Sequence, residues 1–85
     1  MSLKIEHILS EMSMRVYYEG EYAGYLTYEI SNGIFDIQHT VVRSEFRGKG
    51  LGRILVDFAA EYAKKEGLEV VPSCSYAERV LNGSG

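Results

Sequence analysis

Two hydrophobic periods divide this chain. Up to Val42 apolar and polar residues alternate, the period of a half-buried strand. After Leu51 apolar residues recur every three or four positions, the period of a helix. Met14 to Glu19 is rich in β-formers and reads as a strand, and Gly20-Glu21 as the tight turn after it. Tyr22 to Ile30 alternates, with Leu26, Tyr28 and Ile30 on one side and Tyr25, Thr27 and Glu29 on the other. Asn32-Gly33 is a hairpin signal, because both residues accept positive φ. Ile34 to Val42 is the next strand, and alternation places Phe35, Ile37, His39 and Val41 on one face. Leu3 to Ile8 fits a further edge strand. The first half is expected to be an antiparallel meander.

In the second half Leu51, Ile54, Leu55, Phe58, Ala59, Tyr62 and Ala63 form one face of an α-helix. Arg53, Asp57, Glu61, Lys64 and Lys65 take the other face, with Glu61 and Lys65 paired at i,i+4. Gly67 supplies a helix stop. Leu68 to Val71 reads as a short strand ended by Pro72, Ser73 to Leu81 as a short helix, and Asn82-Gly83-Ser84-Gly85 as a frayed tail. A strand, a helix and a strand in succession imply a crossover that returns parallel to an earlier strand. The expected fold class is α+β: a mixed sheet, antiparallel first, with the long helix on one face. With 85 residues the chain makes one domain at most.

Composition narrows the function classes. No stretch approaches the ~20 apolar residues of a membrane span, and no export signal is readable at the N-terminus. One cysteine and two histidines give no zinc pattern and no internal disulfide, so no metal and a reducing, cytoplasmic setting are expected. The formal net charge is −3. Arg43 to Arg53 nevertheless carries four bases and one acid, a local +3, which leaves −6 on the rest. An acidic protein with one basic segment is a poor wrapper of nucleic acid. It suits a small polyanion captured at one place, unless these bases are only solvated loop charges.

The basic segment contains Arg47-Gly48-Lys49-Gly50-Leu51-Gly52-Arg53, three alternate glycines between a strand and an amphipathic helix. The first N–H groups of a helix lack intrahelical partners and carry partial positive charge. Glycines let an anion approach them, and Arg47 and Lys49 add full charges, a combination suited to phosphate or pyrophosphate. The spacing fits neither a Walker loop nor a dinucleotide-binding G-x-G-x-x-G. The blander alternative is that the glycines serve a turn and a close helix–sheet contact.

Arg47-Gly48-Lys49-Gly50-Leu51-Gly52 resembles the [RQ]-x-x-G-x-[GA] pyrophosphate loop of the Gcn5-related N-acetyltransferases (GNAT). The chain is shorter than an ordinary GNAT domain. It looks more like a miniature GNAT-like group with a His-Thr before the loop and a Pro-x-Cys after the helix. Here those are His39-Thr40 and Pro72-Ser73-Cys74. The resemblance spans about Ile5 to Leu81. Many relatives have prolines where this chain has Arg43-Ser44. The resemblance implies acetyl-CoA (CoA) as cofactor, held by Val41 and Val42 on the strand and by Arg47, Gly48, Lys49, Gly50, Leu51, Gly52 and Arg53 in the loop.

Acetyl transfer needs a nucleophile, a proton acceptor and oxyanion stabilisation. The resemblance makes the backbone N–H groups around Val41 the group that polarises the thioester carbonyl. His39, just upstream, is the candidate base, since imidazoles titrate near ~6.5; otherwise it is a core or half-buried histidine. Cys74, where the sheet splays in GNATs, is a candidate acyl acceptor or a small pocket-lining residue. Alternation past Pro72 puts Cys74 near the face of Leu68 and Val70, and His39 and Cys74 are expected to approach across the splay. Tyr76 opens the last helix, where many GNATs place the tyrosine that protonates the leaving CoA thiolate; as one of seven tyrosines it is equally a packing residue. Asp36 and Glu45 read as surface groups. The expected activity is acetyl transfer to a small-molecule or protein amine, directly or through Cys74. A non-catalytic acyl-CoA-binding module is the alternative, and a nucleotide-phosphate binder a third class. The acceptor and the oligomeric state are not readable.

Overall fold

The hairpin turns set the register of the sheet. Glu19 and Gly20, and then Asn32 and Gly33, take left-handed φ in pairs, the two-residue turn whose twist matches that of the flanking strands. The first turn thus falls one residue earlier than Gly20-Glu21. The computed structural model describes residues 2–82. It runs β1 (Leu3–Ile8), β2 (Ser13–Tyr18), β3 (Glu21–Ser31), β4 (Ile34–Val42), α1 (Leu51–Lys65), β5 (Glu69–Pro72) and α2 (Ser75–Leu81), with single 3-10 turns at Leu9–Glu11 and Ser44–Phe46. Sheet order is β1-β2-β3-β4-β5. The first four strands pair antiparallel, and β5 lies parallel to β4. This is the expected α+β mixed sheet. The final helix starts at Ser75, not Ser73, because Pro72 still belongs to β5. Residues 83–85 of the expected tail lie outside the described residues.

Helix α1 closes the core over one sheet face, against Met14, Val16, Leu26, Phe35 and Ile37. Its own contribution differs from the expected one. Val56 is fully buried, whereas Phe58 is 40% exposed. The buried face is centred on Gly52, Ala59 and Ala63, small residues that let the helix lie close to the sheet. Phe58 is one residue and so ~100° around from Ala59, at the rim. The stop at Gly67 is a double one: Leu68 N–H donates to the Ala63 carbonyl at 2.8 Å and Gly67 N–H to that of Lys64 at 3.1 Å, the pair of bonds that closes a helix on an αL residue.

Strand β4 does not alternate throughout. Tyr28 pairs with Ile37 but Thr27 with His39, so Gln38 is an extra residue, a β-bulge. The bulge reverses the faces beyond it. Phe35 and Ile37 are buried under α1. After the bulge Thr40 and Val42 turn to that side, opposite Leu26 and Gly24. His39 and Val41 turn to the opposite, exposed face. The single face expected for Phe35, Ile37, His39 and Val41 is therefore wrong for the last two.

Candidate functional site

The loop between β4 and α1 is held by its first basic residue. Arg43 N–H donates to the Ala23 carbonyl at 2.8 Å. Its guanidinium donates to the Tyr22 carbonyl and to Glu45, both at 2.8 Å, and lies 5.8 Å from the Phe46 ring centre. Arg43 is thus an anchor to β3. Glu45's own backbone N–H, and then Arg43, hold its carboxyl below the ordinary range. Phe46 is buried in the core and pins the middle of the loop.

Beyond Phe46 the backbone opens outward. Gly48 and Gly50 have φ of 84° and 75°, which L side chains rarely adopt. A Cβ at either position would meet nothing within 4 Å, so the space before them is free. Gly50 is the N-cap of α1, and no side chain caps that end. Arg47 is exposed and makes no ion pair among the described residues. Lys49 instead places its ammonium 5.0 Å from the Tyr18 ring centre. These groups border a shallow cavity of about 130 Å³ between Val42, Arg47, Gly48, Gly50, Gly52 and Tyr76. Leu51 lines it too, but Val41, Lys49 and Arg53 do not.

Tyr76 borders this cavity from the other side, whereas Cys74, two residues earlier, does not line it. Cys74 N–H donates to the Ile37 carbonyl at 3.0 Å, tying the start of α2 to β4. The thiol is half-buried. Burial pushes its pKa up, but the Ala77 N–H, the Thr40 hydroxyl, the Tyr76 N–H and the Thr40 backbone outweigh it, and the net direction is down. No side-chain capping hydrogen bond closes at Cys74, and the buried Thr40 Oγ1 makes no well-formed hydrogen bond. These influences are therefore read as electrostatic contacts around the sulfur, not as formed bonds. Thr40, which sequence reasoning named only within His39-Thr40, is the residue beside the thiol. The bulge that brings it there leaves no signal in the alternation.

His39 faces away from the thiol. It lies exposed on the helix-free face, paired with Thr27. His39 and Cys74 thus sit on opposite sides of β4, and the expected approach across the splay is not made. Asp36, expected at the surface, accepts from Ser73 N–H at 3.3 Å and steadies the turn before Cys74. A larger open hollow of about 350 Å³, bordered by Lys4, Glu6 and Tyr17, lies on the helix-free face and contains none of the expected site residues. Among the described residues no helix is long and apolar enough to cross a membrane.

A five-stranded mixed sheet, with a glycine loop leading from a bulged strand into an uncapped helix and a parallel partner strand after it, defines the α+β class of this domain. The family model for the GCN5-related N-acetyltransferases matches residues 11–84. The chain belongs to that family. A protein from Staphylococcus aureus described as GCN5-like is 29% identical, with TM-score 0.74, covering 95% of this chain and 79% of its own. An IAA acetyltransferase from Bacillus cereus shares the fold at 19% identity, with TM-score 0.75 and coverage of 99% and 76%. The diaminobutyrate acetyltransferase from Paenibacillus lautus, solved with L-2,4-diaminobutyric acid and coenzyme A, shares it at 17% identity, with TM-score 0.68. The match covers 88% of this chain but only 50% of that enzyme.

Proposed function

We propose that this protein binds acetyl-CoA through its pyrophosphate at the loop Arg47–Gly52 and transfers the acetyl group to an amine. The supporting observation is the cradle itself: Gly48 and Gly50 leave open space in front of an uncapped helix start, with Arg47, which makes no ion pair among the described residues, beside it. Those residues fit a pyrophosphate, because backbone N–H donors and a guanidinium converge on one cavity. Val42 and Leu51 border the same cavity and would pack against the pantetheine end.

Acetyl-CoA supplies an acyl group already activated as a thioester. The Cys74 thiol, shifted toward thiolate beside Thr40, would accept it in a covalent route. His39, exposed on the other face, would take a proton from an ammonium arriving there. Direct attack by the amine needs His39 and not Cys74; transfer through the thiol needs Cys74 first. The separation of the two groups also favours a second reading, a CoA-binding module without turnover.

Intact mass spectrometry after incubation with acetyl-CoA, native and denatured, tests all three. A CoA complex in the native spectrum and an acetyl adduct surviving denaturation support transfer through Cys74. A complex without adduct leaves direct transfer, or the binding module if no amine is acetylated. No complex at millimolar ligand overturns CoA binding altogether.

A further inference from the structure

Gly52 behaves differently from the other two loop glycines. It lies inside α1, fully enclosed, and no positive φ requires it. A glycine inside a helix costs ~1 kcal/mol relative to alanine, so the position needs another reason. The structure supplies one: a Cβ at residue 52 would lie 2.9 Å from the Tyr76 hydroxyl oxygen and 3.0 Å from two of its ring carbons. The glycine is a notch, and the Tyr76 ring fills it.

That contact fixes where the hydroxyl stands. It lies on the first turn of α1, at the uncapped end of the helix, and Tyr76 borders the same cavity as Arg47, Gly48 and Gly50. The Arg79 guanidinium, on the same helix, lies 5.9 Å from the Tyr76 ring centre. Cys74, two residues earlier, is tied instead to Ile37 on β4. The phenol thus borders the cradle, and the thiol lies outside its lining, beside Thr40. We infer that Tyr76 binds the phosphate end of CoA, its hydroxyl donating to a phosphate oxygen, and that Gly52 is glycine in order to admit its ring. This inference rests on the CoA-binding reading above. It replaces the expected role of Tyr76 as acid for the leaving thiolate.

The test is calorimetric titration of CoA into wild type, Tyr76→Phe, Gly52→Ala and the double variant, each checked for folding by circular dichroism. Tyr76→Phe keeps the ring and removes only the donor, so CoA should bind about tenfold or more weakly, the scale of one hydrogen bond to a charged group. Gly52→Ala pushes the ring from its notch and should weaken CoA at least as much. The double variant should bind no worse than about the weaker single, because both changes remove one contact. If Gly52→Ala does not fold, Tyr76→Phe decides alone. Tyr76→Phe binding CoA within twofold of wild type, with only its transfer rate reduced, overturns the inference and restores the acid role. Wild type failing to bind CoA overturns this inference together with the reading it rests on.

Discussion

The imidazole Nε2 of His7 lies 2.6 Å from the hydroxyl of Tyr28, beneath α1. The His7 ring also meets Tyr62 edge-on, with centres 4.5 Å apart, and Tyr28 stacks on Phe35. Burial lowers the His7 pKa from its ordinary value. A histidine depressed in the folded state stays neutral while the unfolded chain takes up a proton. Stability should therefore fall as pH drops from ~6.5 toward the lowered folded value. Burial, and then the charge of Tyr62, raise the Tyr28 pKa, so stability should also fall as pH rises past ~10. Urea titrations at pH 7.5 and 5.5 check the acid limb. His7→Leu should flatten it and cost about 1–3 kcal/mol at pH 7.5, by leaving the buried Tyr28 hydroxyl unpaired. An unchanged acid limb in His7→Leu would assign the loss to other groups.

Gly24 faces Val42 across β3 and β4, and a Cβ there would run into the Val41 carbonyl oxygen. Both neighbours are backbone and cannot swing aside. Gly24→Ala should destabilise by about 1–3 kcal/mol, the cost of overpacking. It should also displace the end of β4 and so weaken CoA binding. Chemical denaturation and CoA titration on the same preparation measure the two effects. A variant as stable as wild type would show that the strands part without cost.

The loop predicts two separable losses. Arg47→Ala removes an exposed cation that makes no ion pair among the described residues, so stability should stay within ~0.5 kcal/mol. CoA affinity should drop about tenfold or more. Gly50→Val puts a branched side chain at φ 75° and over the anion site, so it should lose detectable binding and about 1–3 kcal/mol of stability. Arg47→Ala with undiminished CoA affinity would remove Arg47 from the site.

How much of this was legible in the sequence depends on whether local chemistry or partner strands decide the outcome. Asn32-Gly33 and Gly67 act on their own backbone, so the hairpin and the helix stop were readable. Gly48 and Gly50 were readable as an open turn before the helix for the same reason. The bulge at Gln38 was not, because its one-residue slip exists only against β3, and it carried His39 and Val41 to the other face. Phe58 was misread because its spacing from Leu51 fits the apolar stripe. The real face of α1 is set by the small residues Gly52, Ala59 and Ala63, which only a neighbouring sheet makes meaningful. Gly52 was read with the loop, and its contact with Tyr76 depends on a helix beginning more than twenty residues later.

His39 gives a clean separation of fold from function, because it is exposed. His39→Ala should change stability by no more than ~0.5 kcal/mol and leave CoA affinity within a few-fold. If His39 takes the acceptor's proton, the transfer rate should fall by ~10²–10⁴-fold. Steady-state kinetics with a responsive amine supply the comparison. A rate equal to wild type would leave the helix-free face without a base.

Cys74 decides the route. Its surroundings favour thiolate against the effect of burial, so iodoacetamide should modify it with a pH midpoint below that of a free cysteine. Bound acetyl-CoA should slow that modification where transfer through Cys74 brings its acyl end to the thiol. Thr40→Val removes the buried hydroxyl beside the sulfur and should move the midpoint upward, while Thr40→Ser should not. Thioester exchange onto the thiol forms a sulfur–acyl bond and releases CoA as thiolate, and the near-equal energies of the two thioesters make the step reversible. Under that route Cys74→Ala abolishes both the denaturation-resistant acetyl adduct and turnover, whereas Cys74→Ser keeps the fold with little activity. Full turnover in Cys74→Ala would mean that the amine attacks the bound thioester directly. The lowered thiol pKa would then reflect only the turn from β5 into α2, where backbone N–H groups surround whatever side chain residue 74 carries.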